Sequence, residues 1–471
     1  MKKALILFSL LLVVIGVSLC LASCGIVLDK AGFYEGFEYV VDSEYEITIK
    51  GYSGEDPKLE IPAWIDGYKV VGIDFDENDA SLQNIESIKI PKTIISLSAE
   101  TFLPCVNLKE ITVALDNPEY KYFRGALYSK DGKTLICYPQ AAEDEELELH
   151  SRVSTIASRA FLNARYLKSV KLTSVSEIGE LAFVGCSALE SVDFGDSLRE
   201  IGYGAFENCA LISSLNIPNT TEYIGAVAFG GCVGVGSISL GNNVSYVGTE
   251  AFENLDTVLG LTEFGGANYL GNAENPYVLL VKAIDMEKNA YHVHSSANVI
   301  YESAFEEMAM LESVEIPHHV TQIGRRAFYN CNALRTVELP EQMQMVEEYA
   351  FYGCSSIETV EIPSSVTAIG NSAFEGCAAL TSLLISNRAR TIGNLAFAGC
   401  TSLTSVEIPG SVTYIQDSSF LGCESLVSVG FLSVEGWTCN DDSVDLAGLS
   451  DPTLAALILK QSGVELQRAV S

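Results

Sequence analysis

Basic side chains are scarce in this sequence of 471 residues, and their scarcity excludes several classes of partner. Lysine and arginine together number 28 against 61 aspartates and glutamates, so the formal net charge is −33 at neutral pH. Nucleic acids and anionic membrane surfaces are bound through clustered Lys and Arg. We therefore expect no nucleic-acid partner, whereas basic proteins, cations and neutral glycans stay possible.

Recognisable catalytic motifs are also lacking. The sequence contains no HExxH metal-binding pair, no Walker phosphate loop and no GxSxG nucleophile motif. Carboxylates are plentiful enough for a glycosidase pair, but none stands in a distinctive sequence context. We expect a protein that is not an enzyme and that needs no cofactor.

Long apolar runs are missing except at the start of the chain. A short basic segment ending at Lys3 precedes the apolar run Ala4–Val17, and the segment Leu21–Gly25 follows. Small residues before Cys24 resemble the bacterial lipobox, whose cysteine thiol is acylated. This pattern predicts a signal peptide over 1–23 and a lipid on Cys24; an ordinary signal peptide or a single membrane span is the alternative. The protein would then lie on the extracellular face of a bacterial cell envelope, held to the membrane by its lipid.

The sequence repeats itself with a period of 23 residues. A phenylalanine, usually preceded by alanine, marks each period, and a cysteine usually follows three residues later. An aliphatic residue, often followed by glycine, stands five residues before each phenylalanine. The regularly spaced phenylalanines are Phe183, Phe206, Phe229 and Phe252, and then Phe305, Phe328, Phe351, Phe374, Phe397 and Phe420.

Each period contains one segment that is typical of a β-strand. In Ser405–Ile408 the apolar residues alternate with polar ones, and Pro409 then ends the strand because proline donates no hydrogen bond. Strands that recur every 23 residues cannot pair as hairpins, so we expect them to stack in parallel as turns of a solenoid. The cysteines would then form a column of buried thiols rather than disulfides; metal or redox chemistry is the alternative. We interpret the glycine as the residue of a tight bend.

The repeat resembles the BspA-like leucine-rich repeat, also called the Treponema-type repeat. The resemblance covers residues 55–435, and it includes the opening phrase Leu59–Tyr68 and the segment Asn117–Pro139. It implies a right-handed leucine-rich-repeat coil with a parallel β-sheet on the concave face and short turns on the convex face. It also implies a surface protein that binds host matrix proteins or bacterial surface proteins.

Irregular segments divide the expected solenoid. We expect an anchor or linker and an N-terminal cap over 24–54, the repeats over 55–435 and a C-terminal cap over 436–471. The period breaks at about 114–150, where Asp131-Gly132 predicts a hairpin, and at about 253–300. In the second break we expect hairpin-like strands at 277–281 and 291–294. Residues 454–459 predict a short helix that covers the last turn.

Outward positions of the late strands form two polar columns. Stacked strands lie about 4.8 Å apart, so like charges in one column repel each other mildly. The columns indicate either a face for a basic or cation-dependent ligand or a plain solvated surface. This candidate binding face consists of Ser313, Thr336, Thr359 and Ser405 with Glu315, Glu338, Glu361 and Glu407.

Four of the five histidines lie within residues 292–319. Aligned on the repeat, His292 takes the position that Glu315 takes one turn later, and His294 lies near His318. Imidazoles with a carboxylate suit zinc or another transition metal, and clustered imidazoles also make a pH-sensitive patch. Chance clustering on a solvated turn is the alternative.

These features together predict a monomeric cell-surface lipoprotein that presents a repeat face for protein binding or adhesion. Two other functions stay open: a structural spacer of the envelope and a carbohydrate-capture protein of an uptake system. Aromatic rings exposed on the two irregular segments would favour capture, whereas an unbroken polar strand face would favour protein binding.

Overall fold

The computed structural model describes residues 31–252, 258, 260–439, 442–443 and 449–468. They fall into two compact units: unit 1 lies within Met1–Glu143 together with Arg159–Ala164, and unit 2 within Asp144–Ser158 and Arg165–Ser471. The predicted signal peptide 1–23 and Cys24 lie outside the described residues.

Unit 1 contains eleven strands and two short 3₁₀ helices among its described residues. The helices span Ala80–Asn84 and Glu100–Phe102. The strands are β1 Ala31–Tyr34, β2 Phe37–Val41, β3 Glu46–Tyr52, β4 Lys58–Glu60, β5 Trp64–Ile65, β6 Tyr68–Ile73, β7 Ser87–Ile90, β8 Glu110–Val113, β9 Tyr120–Phe123, β10 Ala126–Ser129 and β11 Thr134–Cys137.

Antiparallel and parallel strands both occur in unit 1. One sheet has the order β1-β2-β3-β6-β5, in which only β3 and β6 pair in parallel. Strands β4, β7 and β8 stack in parallel, as the repeat predicts. The hairpin predicted at Asp131-Gly132 is present between β10 and β11, with a four-residue connection over 130–133.

Unit 2 contains 28 strands among its described residues, and the α-helix α1 spans Pro452–Leu459. Its first strands are β12 Glu146–Glu148, β13 Thr155–Ile156, β14 Ser169–Lys171, β15 Glu177–Ile178, β16 Ser191–Asp193, β17 Glu200–Ile201, β18 Ser214–Asn216, β19 Tyr223–Ile224, β20 Ser237–Ser239, β21 Tyr246–Val247, β22 Thr262–Phe264, β23 Ala267–Leu270, β24 Leu279–Ala283, β25 Ala290–His292 and β26 Val299–Ile300. The others are β27 Ser313–Glu315, β28 Gln322–Ile323, β29 Met345–Val346, β30 Thr359–Ile362, β31 Ala368–Ile369, β32 Ser382–Ile385, β33 Thr391–Ile392, β34 Ser405–Ile408, β35 Tyr414–Ile415, β36 Ser428–Phe431, β37 Trp437–Cys439, β38 Asp442–Ser443 and β39 Leu466–Arg468.

The repeats of unit 2 form a solenoid with two columns of parallel strands. The long-strand column consists of the predicted strands of three or four residues, such as β30 against β32 and β34 against β36. The short-strand column consists of two-residue strands, such as β31, β33 and β35, that lie where only turns were predicted. We call the turns over residues 144–252 the first stack, without residues 159–164, and those over 290–431 the second stack.

Phenylalanine rings fill the interior of both stacks. Consecutive rings lie face to face at 4.8–5.4 Å between centroids in the first stack and at 4.9–5.5 Å in the second. The alanine before each ring joins the turns, because the Phe374 N–H donates to the Ala396 carbonyl at 2.8 Å. Burying one such side chain stabilises the fold by about 1.5–3 kcal/mol.

Glycine after the aliphatic residue has a different role from the predicted bend. Gly202 and Gly393 do not have the positive φ that favours glycine. A Cβ atom on Gly393 would instead lie 2.7 Å from the Asn371 nitrogen of the preceding turn, and one on Gly202 would lie 2.8 Å from the Glu180 nitrogen. The residue must therefore be small because neighbouring turns approach closely, and the bend was the wrong reason.

The irregular segment after Phe252 folds differently from the prediction. The hairpin joins β22 to β23 through Gly265 and Gly266, both with positive φ, and β23 then pairs with β24. Strand β25 pairs in parallel with β27, so residues 291–294 belong to the long-strand column rather than to a hairpin. The predicted hairpin partners were wrong because Gly-Gly is the stronger turn signal.

Helix α1 and strand β39 cover the end of the second stack. Asp451 caps the helix by accepting from the Thr453 and Leu454 amides at 2.9 and 3.3 Å. The helix contacts β36, and β39 pairs antiparallel with β35. The predicted helix is thus confirmed, and β39 occupies an open strand edge that could otherwise pair with another chain.

Candidate functional site

The predicted binding face lies on the exposed side of the long-strand column. Ser313, Thr336, Thr359 and Ser405 are all exposed, and so are Glu315, Glu338, Glu361 and Glu407. Strand register aligns parts of the serine and threonine column: Ser313 is bridged to Thr336, Thr359 pairs with Ser382, and Ser405 pairs with Ser428. Each glutamate is exposed and lies two residues beyond a member of this column, so the glutamates follow it on the same outward side.

Three glutamates of the column lack a basic partner among the described residues. Among the described residues, no Lys or Arg lies within 4.0 Å of the carboxylates of Glu338, Glu361 and Glu407. The chain contains no lysine between Lys288 and Lys460. Stacked like charges are mildly destabilising, so this face gains from a cationic neighbour.

Equivalent strands elsewhere have lysines opposite their glutamates. In the first stack Glu148 of β12 lies opposite Lys171 of β14, and their charged atoms are 3.4 Å apart. In unit 1 Glu60 of β4 pairs with Lys89 of β7 at 3.2 Å. The unpaired carboxylates are therefore a property of the second stack and not of the repeat itself.

A shallow groove runs along the same face. It is lined by polar side chains, by several aliphatic side chains that are themselves buried, and by Leu384, which occupies the glutamate position of β32 and is 53% exposed. Leu384 lies opposite Glu361 in the register of the parallel strands. His318 also lines the groove, beside Glu338 and Glu361. The surface thus offers carboxylates around an apolar contact.

Two of the predicted metal ligands lie together. His292 and Glu315 are directly opposite each other in β25 and β27, as the alignment predicts, and His292 Nδ1 lies 2.5 Å from a carboxylate oxygen of Glu315. Both side chains are largely exposed. The arrangement is that of a surface hydrogen bond, which becomes an ion pair when the imidazole is protonated.

His294 lies in a different environment. Its ring stacks on Tyr277 at 3.7 Å between centroids and meets the edge of Phe264 at 4.7 Å. Its Nδ1 accepts from the Ser296 amide at 3.1 Å. Burial among these rings lowers the pKa of His294, because it disfavours the charged imidazolium.

Among the described residues, no third ligand joins the pair formed by His292 and Glu315. Within the residues that the structure describes, no three His, Cys, Asp or Glu side chains come together in a group that could hold a metal ion. His318 lines the groove, whereas His294 is committed to an aromatic cluster. The metal prediction therefore rests on His292 and Glu315 alone and stays a prediction.

The cysteine column is a buried ladder of hydrogen-bonding thiols. Cys331 and Cys377 donate to the Phe305 and Phe351 carbonyls of the preceding turn at 3.0 and 3.4 Å. The same contact recurs at Cys209, Cys354, Cys400 and Cys423. Burial raises the pKa of the Cys377 thiol well above its ordinary value, so the thiol stays protonated and poorly nucleophilic. The sequence did not reveal that these cysteines bond to the neighbouring turn.

The repeats match a family model over more than half of the chain. The model is described as the BspA type leucine rich repeat region; it matches in six copies, over residues 79–125, 137–258 and 298–427. The chain belongs to the BspA-type leucine-rich-repeat family. The resemblance noted from the sequence is thereby confirmed, together with the repeat solenoid that it implies.

Several solved structures of bacterial leucine-rich-repeat proteins are similar to this chain. A leucine rich cell surface protein from Faecalibacterium prausnitzii is 24% identical over 86% of this chain and 96% of its own, with a TM-score of 0.34. A leucine-rich repeat protein from Bacteroides ovatus is 20% identical over 86% and 88%, with a TM-score of 0.27. The pneumococcal vaccine antigen PcpA is 16% identical over 84% and 90%, with a TM-score of 0.28. No curated protein matches the sequence.

The lipid anchor was predicted from residues at the start of the chain. The predicted acylation site Cys24 lies outside the described residues, so its lipid stays a prediction. None of the helices in the described part of the chain combines the length and apolar character that a membrane span requires.

Proposed function

We propose that this protein is a lipid-anchored bacterial surface protein that binds a basic partner protein along the long-strand column of its second stack. The observation that carries the proposal is the aligned column of Glu315, Glu338, Glu361 and Glu407, whose last three members have no cation beside them among the described residues. Membership of the BspA-type family supports a role in protein binding.

Charge and shape together indicate the chemistry of the partner. A Lys- or Arg-rich segment placed along the column would relieve the repulsion between stacked carboxylates, and the serine and threonine column beside it supplies hydrogen-bonding hydroxyls. Exposed Leu384 offers an apolar contact between two glutamates of the column. Matrix proteins of a host and surface proteins of other bacteria are the partner classes that the family resemblance suggests.

The proposal is tested by binding measurements on the chain without its signal peptide. A panel of matrix proteins, bacterial surface proteins and Lys-rich peptides is immobilised, and binding is measured by biolayer interferometry at several salt concentrations. A triple variant Glu338→Gln, Glu361→Gln, Glu407→Gln should lose at least about tenfold in affinity, since each neutralised rim charge weakens steering and attraction. Binding by the unmodified chain should weaken as salt rises.

A control variant distinguishes an effect of the glutamate column from an effect of the net charge of the protein. Glu263→Gln, Glu287→Gln, Glu424→Gln removes the same charge from exposed positions outside the column. It should bind as the unmodified chain does. Equal losses of affinity in both triple variants would mean that net charge, and not this face, causes the loss. If no panel member binds, the envelope spacer is favoured instead.

The lipid anchor is a separate part of the proposal. A Cys24→Ala variant expressed in a bacterium with lipoprotein processing should keep its signal peptide and take up no alkyne-labelled fatty acid. Continued labelling of this variant, or release of the unmodified chain into the medium without lipid, would contradict the anchor.

Carbohydrate capture has one observation in its favour. Phe264, on the irregular segment of unit 2, is 40% exposed, and Tyr122 and Phe123 of unit 1 are 44% and 45% exposed. Sugars stack on such rings, although Phe264 also packs edge-on against Tyr269 and Tyr277. A glycan array should show binding that Phe264→Ala abolishes if this second function holds, and the glutamate variants should leave that binding unchanged.

A further inference from the structure

The short-strand column is interrupted at the end of the first stack. Strand β21 pairs with β19 on one side, but no strand of the described residues pairs with its other side. Residues 262–283 form β22, β23 and β24 instead of the next regular turn. The free edge of β21 therefore needs other partners for its peptide groups, since buried backbone groups are seldom left without hydrogen bonds.

Side chains of the second stack take the place of the missing strand. The Gln322 amide accepts from the Val247 N–H at 2.8 Å and donates to the Val247 carbonyl at 3.0 Å, as a peptide group of a paired strand would. Thr321 donates its hydroxyl to the Ser245 carbonyl at 2.5 Å. We call this contact between β21 and residues 298–322 the joint.

Further bonds extend the joint on both sides. The Asn298 amide donates to the Asn242 and Val244 carbonyls at 2.8 and 2.9 Å. A carboxylate oxygen of Glu302 accepts from the Glu250 amide at 2.7 Å. Two stacks of repeats are thus held together here by side-chain hydrogen bonds rather than by the main-chain ladder that joins their other turns.

Glu347 is a buried carboxyl beside the joint. It occupies the place where other turns have a small glycine such as Gly324 or Gly370, and its short strand β29 is not paired with β28 of the preceding turn. Its side chain contacts the Gln322 amide, and its Oε1 atom is buried without a hydrogen-bond partner among the described residues. Burying an ionised carboxylate with an unsatisfied oxygen is costly.

Among the described residues no Lys or Arg lies within 4.0 Å of the Glu347 carboxylate, although Arg325 pairs with the adjacent Glu348 at 4.0 Å. Tyr223 of β19 and Tyr246 of β21 face it from the first stack, Gln322 faces it from β28, and Glu348 follows it in the chain. Burial raises the pKa of Glu347 to about 7, and Glu348 adds to the shift while the Gln322 amide opposes it. The pKa of Tyr246 is raised to about 12, first by burial, so that this ring stays neutral near pH 7.

We infer that the joint is a pH-sensitive contact between the two stacks, closed while Glu347 is protonated and loosened when Glu347 ionises and draws water to itself. The neutral carboxyl is compatible with its dry position against Gln322 and the tyrosines. The ionised carboxylate is not compatible with this dry position, because it needs water. Hydrating it requires Gln322 to withdraw from β21. The inference is independent of the proposed binding function, because it concerns none of the residues of the glutamate column.

Hydrogen–deuterium exchange at the Val247 amide tests the inference directly. The amide is followed in overlapping peptides of the full chain at pH 5.5 and pH 8.5, and each rate is divided by the intrinsic rate at that pH. We expect its protection to fall about tenfold or more at the higher pH, whereas the Phe374 amide within the second stack should stay equally protected. Glu347→Gln should remove the dependence on pH.

Two further variants make the outcome decisive. Glu348→Gln removes a charge at the adjacent residue and should keep the dependence on pH, with its midpoint moved to slightly lower pH because Glu348 raises the pKa of Glu347. Gln322→Met removes the amide that pairs with Val247 and should lower the protection at both pH values. Three results would each overturn the inference. The Val247 amide of the unmodified chain could be equally protected at both pH values, or its protection in Glu347→Gln could still fall as pH rises. The amide could also keep full protection in Gln322→Met.

Discussion

The first and second stacks of unit 2 share an interior and differ in their faces. In both, phenylalanine rings lie about 5 Å apart and a small residue lies where turns approach. On the outward side the first stack mixes charges and neutral groups, with Lys171 opposite Asp193 and Asn216 opposite Ser239. The second stack places glutamates there and has no lysine.

The contrast between the stacks shows which positions are constrained by the stacking of turns. Each interior residue contacts the equivalent residues of the turns before and after it, so a change in its size disturbs the packing on both sides. An outward residue meets water and one neighbouring column, so it can vary without disturbing the coil. Residues that bind a partner are therefore expected in the columns that differ between the two stacks. Residues that stabilise the fold are expected in the columns that are the same in both.

Removing a ring should have the largest effect and should be equal in the two stacks. Phe206→Ala and Phe374→Ala each delete a fully buried ring that is stacked on both sides, at a cost of about 3–5 kcal/mol. Denaturant unfolding followed by circular dichroism measures the loss. Phe264→Ala, at an exposed ring, is the control and should cost much less. A clear inequality between Phe206→Ala and Phe374→Ala would mean that the two interiors are not equivalent.

Adding a methyl group between turns should be the next most damaging change. Gly202→Ala and Gly393→Ala place a Cβ atom within 2.9 Å of backbone atoms of the preceding turn, and such overpacking costs about 1–3 kcal/mol. In the control Gly410→Ala, the nearest atom to the new Cβ is the Ser433 Cβ at 3.6 Å. Thermal unfolding midpoints should drop in the first two variants and stay nearly unchanged in the third. A similar drop in all three would argue against the close approach of turns.

Neutralising Glu347 should change how stability depends on pH. Because the folded-state pKa of Glu347, about 7, lies above its ordinary value of 4.5, its contribution is fully present below about pH 4.5 and is lost as pH rises toward 7. Glu347→Gln should therefore be more stable than the unmodified chain at pH 8, by about 1–3 kcal/mol, and nearly equal to it at pH 4.5. Denaturant titrations at the two pH values compare them, and an advantage that is the same at both would contradict the buried carboxyl.

Changing one outward charge should have the smallest effect, and its sign should differ between the stacks. Glu361→Gln should stabilise the second stack slightly because it relieves repulsion from the stacked glutamates, whereas Glu148→Gln should destabilise the first stack slightly because Lys171 loses its partner. Both effects should shrink in high salt. Paired thermal melts at low and high salt measure them, and equal signs would remove the contrast between the faces.

The period of 23 residues was sufficient to predict the long strands, their register and the buried columns. It also placed His292 opposite Glu315 and aligned the glutamate column, because in-register stacking converts sequence phase directly into neighbours in space. Helix α1 was predicted over residues 454–459, and the structure adds the start at Asp451 and Pro452, which is a local signal that needs little tertiary help.

Other features depend on contacts that no local pattern encodes. Two-residue strands such as β33 are too short to show an alternation, and their pairing exists only because the long strands already stack. The close approach at Gly393 involves backbone from the preceding turn, so the sequence suggested a bend instead. His294 was expected near His318, but the fold of the irregular segment brings Tyr277 against it.

The sequence by itself determined the repeat, the family, the identity of the interior side chains and the columns that face outward. Those follow from periodicity, because each turn of a solenoid contacts only the turns before and after it and equal turns repeat the same contacts. Only the tertiary structure decided how the interruption after Phe252 is bridged: the Gln322 amide replaces a strand beside Val247, and Glu347 is buried next to it. The physical reason is that a break in the period removes the equivalence between turns, so the contacts across it depend on three-dimensional proximity between residues 75 positions apart.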